Sequence, residues 1–486
     1  MTKNLDLRFV IMGAGMAGVM AAINLKKEGY KNIVIYEKGH TLGGTWRENT
    51  YPGLTCDVPS HGYTYSFEPN PEWSHRYPPG PEIQNYFEKT ATKYKIDELT
   101  QYNQEITTCN YINRQWHIET KNGTKDIADF VIAATGVLHV PSFPDIKGID
   151  NFKGDIFHTS RWDHSVPLDG KRVAVIGTGS TGAQIISGLY KRTSKLSQFQ
   201  RTAQWIMHSD NPAYTEQEKE AFRTDPVLLK SMQNSPESNA MIEWFTNAII
   251  DPDSEGMQKL ENTVKENLES KVKDPLLLEK LRPNYRAVCK RLIFSADYYE
   301  AIQGPNSELI TEAIDSIEAE GILTVDGVLH EFDVIALATG FKADRFMRPM
   351  KITGKNKATI EALWSKRPRA YLAISMPDFP NFFMLNGPNG PVGNFSLIDI
   401  AETQWGYIKQ LIDLVSSGKY KEVNVTQESL DQFDIDRIAA AKTTIWATGC
   451  KSWYLDSEGV PATWPWSRDR FKEEMSAPKL DAYDLA

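Results

Sequence analysis

Residues 7–29 read LRFVIMGAGMAGVMAAINLKKEG. The apolar run from Leu7 to Gly13 has the length and composition of a short buried strand. Gly13, Gly15 and Gly18 then fall at G-x-G-x-x-G spacing, and an Ala/Met/Ile/Leu helix runs on to Gly29. A second strand, Asn32 to Glu37, completes a βαβ unit. The pattern returns at residues 171–190, KRVAVIGTGSTGAQIISGLY. There Gly177, Gly179 and Gly182 occupy the turn, Ser180 and Thr181 lie between them, and a strand from Leu196 to Arg201 follows. Two further strands, Asp129 to Ala133 and Asp333 to Leu337, each run into Ala-Thr-Gly, ending at Gly136 and Gly340. Small residues there let the backbone pass close to a ligand.

A glycine turn between strand and helix aims backbone N–H groups and the positive helix end at one point, which suits a pyrophosphate. The two units differ at the end of their second strands. Glu37 stands 24 residues after Gly13, where a carboxylate accepts hydrogen bonds from ribose hydroxyls, as in FAD or NAD. Arg201 and Thr202 stand at the matching place after Gly177, where a cation and a hydroxyl suit the 2′-phosphate of NADPH. Two dinucleotide sites of different ribose chemistry imply electron passage between two cofactors. The fold class expected is α/β, with two Rossmann-like dinucleotide-binding domains and a helical insertion in the second. The boundaries read are 1–145 and 380–486 for the FAD unit, 146–212 and 285–379 for the NADPH unit, and 213–284 for the insertion.

Composition narrows the alternatives. The 486 residues are 41% hydrophobic and 24% charged, which excludes a disordered or fibrous chain. Lys plus Arg is 54 against 63 Asp plus Glu, a net charge of −9, and no nucleic-acid partner is expected. The uncharged stretch from Phe9 to Leu25 carries three glycines and lacks a basic flank before it, so neither a signal peptide nor a transmembrane segment is read. Cysteines stand at 56, 109, 289 and 450 with no C-x-x-C pair. No redox dithiol and no metal site are therefore expected, and four isolated thiols point to a reducing cytoplasm. Without a dithiol, the electrons must go to oxygen, a substrate or another protein.

The segment FKGDIFHTSRWD at residues 152–163 has the form F-x-G-x-x-x-H-x-x-x-W-D, just before the second glycine turn. With it, the chain resembles the type I Baeyer–Villiger monooxygenases, relatives of the flavin-containing monooxygenases, over essentially its whole length. Gly43-Gly44-Thr45-Trp46, Tyr51-Pro52-Gly53 and Cys56-Asp57 resemble the same enzymes' flavin-binding region. The resemblance implies FAD and NADPH as cofactors, hydride transfer from NADPH to FAD, O₂ capture at the flavin C4a carbon, and conversion of a small-molecule ketone to an ester or lactone. It makes Arg291, in Lys290-Arg291 ahead of Tyr298-Tyr299, the catalytic arginine, with Asp57 its carboxylate partner and Lys290 a second contact for the 2′-phosphate. Gly44, Thr45, Trp46, Asp57, Tyr63, Ile106 and Gly136 become cofactor contacts. His158 is read as positioning the connection between the domains. The alternatives are a sulfide or amine oxygenase and an NADPH oxidase or reductase. Substrate preference falls to the helical insertion and to the aromatic tail from Trp446, which is read as loop; Phe395, Trp446 and Trp453 are candidate pocket residues. Neither region carries a readable code for the substrate or for the oligomeric state.

Overall fold

The computed structural model describes residues 3–486 except 234 and 394. Ten strands build its two principal sheets, numbered here in chain order: β1 (Phe9–Met12), β2 (Ile33–Tyr36), β3 (Thr100–Gln101), β4 (Phe130–Ala133), β5 (Asp155–His158), β6 (Arg172–Ile176), β7 (Lys195–Phe199), β8 (Ser307–Ile310), β9 (Val334–Leu337) and β10 (Phe382–Met384). The first sheet has the order β10-β4-β1-β2-β3 and the second β8-β7-β6-β9-β5. All pairings within both are parallel. The side chains of β1, β2 and β4 are buried throughout, as expected of a parallel sheet covered on both faces.

In each sheet the strand that precedes the glycine turn is central. Phe9 of β1 registers with Ile33 on one side and Phe130 on the other. Val173 of β6 registers with Leu196 and Val334. The chain thus leaves in opposite directions from β1 and from β6, and the crevice beyond their carboxyl ends is where open α/β sheets take ligands.

Helices Met16–Lys27 and Ser180–Leu189 follow the two turns. Between the strands of the second unit lie five helices, Glu216–Thr224, Pro226–Gln233, Pro236–Ile250, Glu255–Lys271 and Pro275–Leu281. Their starts are legible in sequence. Thr215 and Glu218 form a reciprocal capping box, and Ser235, Ser254 and Asp274 cap with their side-chain oxygens. Met257, Leu260, Val264 and Leu268 recur at helical spacing and are all fully buried. No helix among the described residues is long and apolar enough to cross a membrane.

The fingerprint segment contributes an edge strand, Asp155–His158, registered with Val334–Leu337. Two expectations are corrected. First, Lys351–Thr353 pairs with Thr108–Asn110, and Met347, Ile352 and Trp364 share a core with Val10, Met12 and Val34. That stretch packs on the first unit rather than on the second, to which the sequence assigns 285–379. Second, two of the four cysteines are joined: Cys289 and Cys450 form a disulfide with Cα atoms 6.2 Å apart, while Cys56 and Cys109 are free. Their separation of 161 residues leaves no local spacing to read.

Candidate functional site

A single cleft of about 1800 Å³ runs between the two units. That exceeds the few hundred to about 1000 Å³ of an ordinary small-ligand pocket, as two dinucleotides and a substrate require. Gly13, Gly15, Glu37, Gly44, Thr45, Trp46, Asp57, Tyr63, Ile106 and Gly136 line it from the first unit. Gly177, Gly179, Ser180, Thr181, Arg201, Thr202, Lys290 and Arg291 line it from the second. Gly18 and Gly182 do not reach it. A Cβ on Gly18 would lie 1.9 Å from the Gly13 carbonyl oxygen, and one on Gly182 would lie 2.3 Å from that of Gly177. Their task is to seat each helix against its strand.

Both helices begin at a glycine, Gly15 and Gly179, with no side-chain cap and no acid in the first turn. Their leading N–H groups stay free, and the positive helix end is uncompensated, so each fits a pyrophosphate. Gly43 and Gly44 have positive φ, and a Cβ on Gly44 would sit 3.1 Å from the Gly15 Cα. This second glycine pair closes over the first turn and shapes its mouth.

Glu37 is 4% exposed at the end of β2. Its Oε2 accepts from the Ala14 N–H at 2.8 Å, and its Oε1 accepts from the Gly39 N–H at 2.7 Å and from Arg47 Nη1 at 2.9 Å. A carboxylate offers about four lone-pair sites, so the pinned group keeps capacity for a ribose hydroxyl. Arg47 was not foreseen. It joins Glu37 to Glu48, which in turn pairs with Arg161 of the fingerprint across the two units.

At the second unit, neither Arg201 nor Lys290 has a carboxylate partner among the described residues. Burial, and then the charge of Arg201, hold the Lys290 ammonium pKa below its usual value. Two cations without a carboxylate partner, lining the same cleft as Thr202, fit a phosphate dianion.

Arg291 comes from the second unit and Asp57 from the first. Arg291 Nη2 donates to Asp57 Oδ2 at 2.6 Å, with side-chain exposures of 30% and 23% toward the cleft. The Asp57 charge, stronger than the opposing burial, holds the guanidinium more firmly protonated than usual. Around this pair, Trp46 Nε1 donates to the Tyr63 hydroxyl at 3.1 Å. Gln184 of the second unit bonds Tyr51 at 2.9 Å and the Thr55 carbonyl at 3.0 Å, fixing the loop that carries Asp57.

His158 is buried at the end of β5. Its Nδ1 accepts from the Ser160 N–H at 3.1 Å, which makes Nε2 the donor to the Gly340 carbonyl at 3.0 Å. Burial lowers its pKa, keeping it neutral. It ties the fingerprint to the Ala-Thr-Gly end of β9. Of the candidate aromatics, Phe395 and Trp453 line the cleft, whereas Trp446 is core.

Known proteins share this arrangement. The profile of the family described as pyridine nucleotide-disulphide oxidoreductase matches residues 10–220. A Mycobacterium tuberculosis protein described as an uncharacterized monooxygenase is 42% identical over 475 residues, covering 98% of this chain and 95% of its own. A Baeyer–Villiger monooxygenase of Pseudomonas aeruginosa is 34% identical over 485 residues, covering 98% of this chain and 91% of its own. Among solved structures, OTEMO in complex with FAD and NADP superposes with a TM-score of 0.88 at 26% identity, over 99% of both chains.

Proposed function

The chain belongs to the type I Baeyer–Villiger monooxygenases, and from that premise we propose that it uses NADPH and O₂, with bound FAD, to insert one oxygen atom beside a ketone carbonyl and release an ester or lactone. FAD would supply the redox and oxygen chemistry, accepting a hydride from NADPH and reacting with O₂. The protein's part is binding, orientation and charge. Glu37 and the N–H groups after Gly13 hold the adenosine ribose and pyrophosphate of FAD. The N–H groups after Gly177 hold the pyrophosphate of NADPH, with Arg201, Thr202 and Lys290 on its 2′-phosphate.

The observation that carries this reading is Arg291 of one unit meeting Asp57 of the other inside the cleft. A guanidinium does not lose its proton at any working pH, so Arg291 stabilises negative charge on oxygen without ever donating a proton to it. Attack on a ketone needs an anionic oxygen nucleophile and passes through an oxyanion. Oxidation of a sulfide or amine needs an electrophilic, protonated oxygen instead. A permanent cation favours the ketone, and sulfides enter only as a secondary substrate class. Asp57 offsets the cost of half-burying the charge.

The test is to supply the purified, FAD-loaded protein with NADPH, air and a methyl ketone and to identify the product by mass spectrometry. Ester is expected; NADPH oxidation with unchanged ketone leaves only an oxidase. The coenzyme assignment has its own prediction. Arg201→Ala removes one charge-assisted contact, worth about 1.5–3 kcal/mol, so KM for NADPH rises roughly ten- to hundredfold while NADH use stays level. Equal losses for both coenzymes contradict a phosphate role for Arg201.

A further inference from the structure

We propose that Tyr454, in the C-terminal loop, is a positioning residue for the Arg291 guanidinium, and that the Cys289–Cys450 disulfide clamps that loop in place. The inference rests on the ketone-oxygenating reading for its consequence and on geometry for its substance.

Arg291 carries five N–H donors, and Asp57 takes one at Nη2. A second neighbour is the Tyr454 phenol, which lies beside the same guanidinium against Gly393. Tyr454 is 5% exposed, and burial holds its phenol neutral by raising its pKa. Space for the contact is provided by Gly393, at φ +96°. A Cβ there would fall 2.1 Å from the Tyr454 hydroxyl and 3.4 Å from Arg291 Nη1. Phenol and guanidinium therefore meet beside a position that carries no side chain. With Asp57 bonded to one edge and the Tyr454 phenol packed beside it, the planar fork is confined from two sides where it lines the cleft. One partner alone would leave it free to turn about the Asp57 bond.

The loop is anchored for this. Cys289 lies two residues before Arg291 and Cys450 four before Tyr454, so the disulfide joins the two strands of chain that bear the contact. Cys289, Cys450, Trp446 and Tyr454 share one apolar core with helix residues Met257 and Leu260 of the insertion. The Ala462 N–H donates to the Tyr454 carbonyl at 2.7 Å, and the Trp464 N–H donates to the Gly390 carbonyl at 3.2 Å. Those bonds hold the outgoing chain against the segment that contains Gly393. The same loop carries Trp453 at the rim of the cleft.

The experiment compares Tyr454→Phe with the parent, both FAD-loaded. Melting temperature, NADP⁺ affinity and the rate of flavin reduction by NADPH are expected to stay within twofold. The fraction of NADPH that yields ester should fall at least fivefold, with hydrogen peroxide making up the difference. A crystal structure of the variant should show Arg291 turned from its parental position. Cys450→Ser keeps the phenol but opens the clamp, and should lower coupling in the same direction. Unchanged coupling in both variants, or an Arg291 unmoved in the Tyr454→Phe crystal, overturns the proposal. If the parent makes no ester from any ketone, the functional reading fails, and the crystal structure alone decides the positioning role.

Discussion

In Arg291→Ala, NADPH is expected to bleach the flavin at close to the parental rate while ester formation falls by 10²–10³. The split follows from where the guanidinium sits. Hydride transfer depends on the glycine turns and the 2′-phosphate contacts, and Arg291 belongs to neither. Charge on the reacting oxygen appears only afterwards, and removing one preorganised donor to such charge costs about 3–4 kcal/mol. The truncation also leaves Asp57 without its cation in the cleft. A negative charge then faces the place where another must develop, so the loss should lie toward the upper end. Rapid-mixing absorbance gives the reduction rate, and product assay gives the ester. Equal loss in both steps would place Arg291 in coenzyme binding instead, and parental ester formation would remove it from the chemistry.

Gly18→Ala is expected to give a colourless protein. The new methyl would press on the Gly13 carbonyl, which is backbone and cannot swing aside. Relief requires the helix to lift from β1, and its leading N–H groups then miss the pyrophosphate. At the upper end of the usual overpacking range, about 3 kcal/mol, FAD affinity drops more than a hundredfold. Gly182→Ala, pressing on the Gly177 carbonyl, is the mirror experiment. It should stay yellow yet resist reduction by NADPH. Flavin absorbance per protein, read before and after dialysis, checks the first variant, and anaerobic titration with NADPH checks the second. Reversed phenotypes would exchange the two cofactor sites.

Local signals made the two nucleotide units legible. A strand, a glycine turn and a helix are neighbours in the chain, and the Glu37 and Arg201 positions follow at a fixed offset. The helical character of the stretch from Glu216 to Leu281 was legible for the same reason, through its 3–4 residue spacing. Pairings across hundreds of residues were not. Arg291 and Asp57 are separated by 234 positions, and only the resemblance joined them. Cys289 and Cys450 read as isolated thiols because nothing near either announces the other. Tyr454 read as one more aromatic in a tail whose aromatics are mostly packing. Arg47 passed unnoticed because a single arginine after Gly-Gly-Thr-Trp does not reveal that it turns back on Glu37. The late boundary at 379 has a similar cause: the chain crosses back to the first unit well before the sequence shows a break.

The central claim is that one atom of molecular oxygen is delivered to a ketone in the cleft where Arg291 and Asp57 meet. Turnover of a methyl ketone under ¹⁸O₂, with mass analysis of the product, tests it most directly. The account predicts an ester carrying one heavy oxygen atom. An unlabelled product, or NADPH consumed with all of the heavy oxygen recovered as hydrogen peroxide, would contradict it.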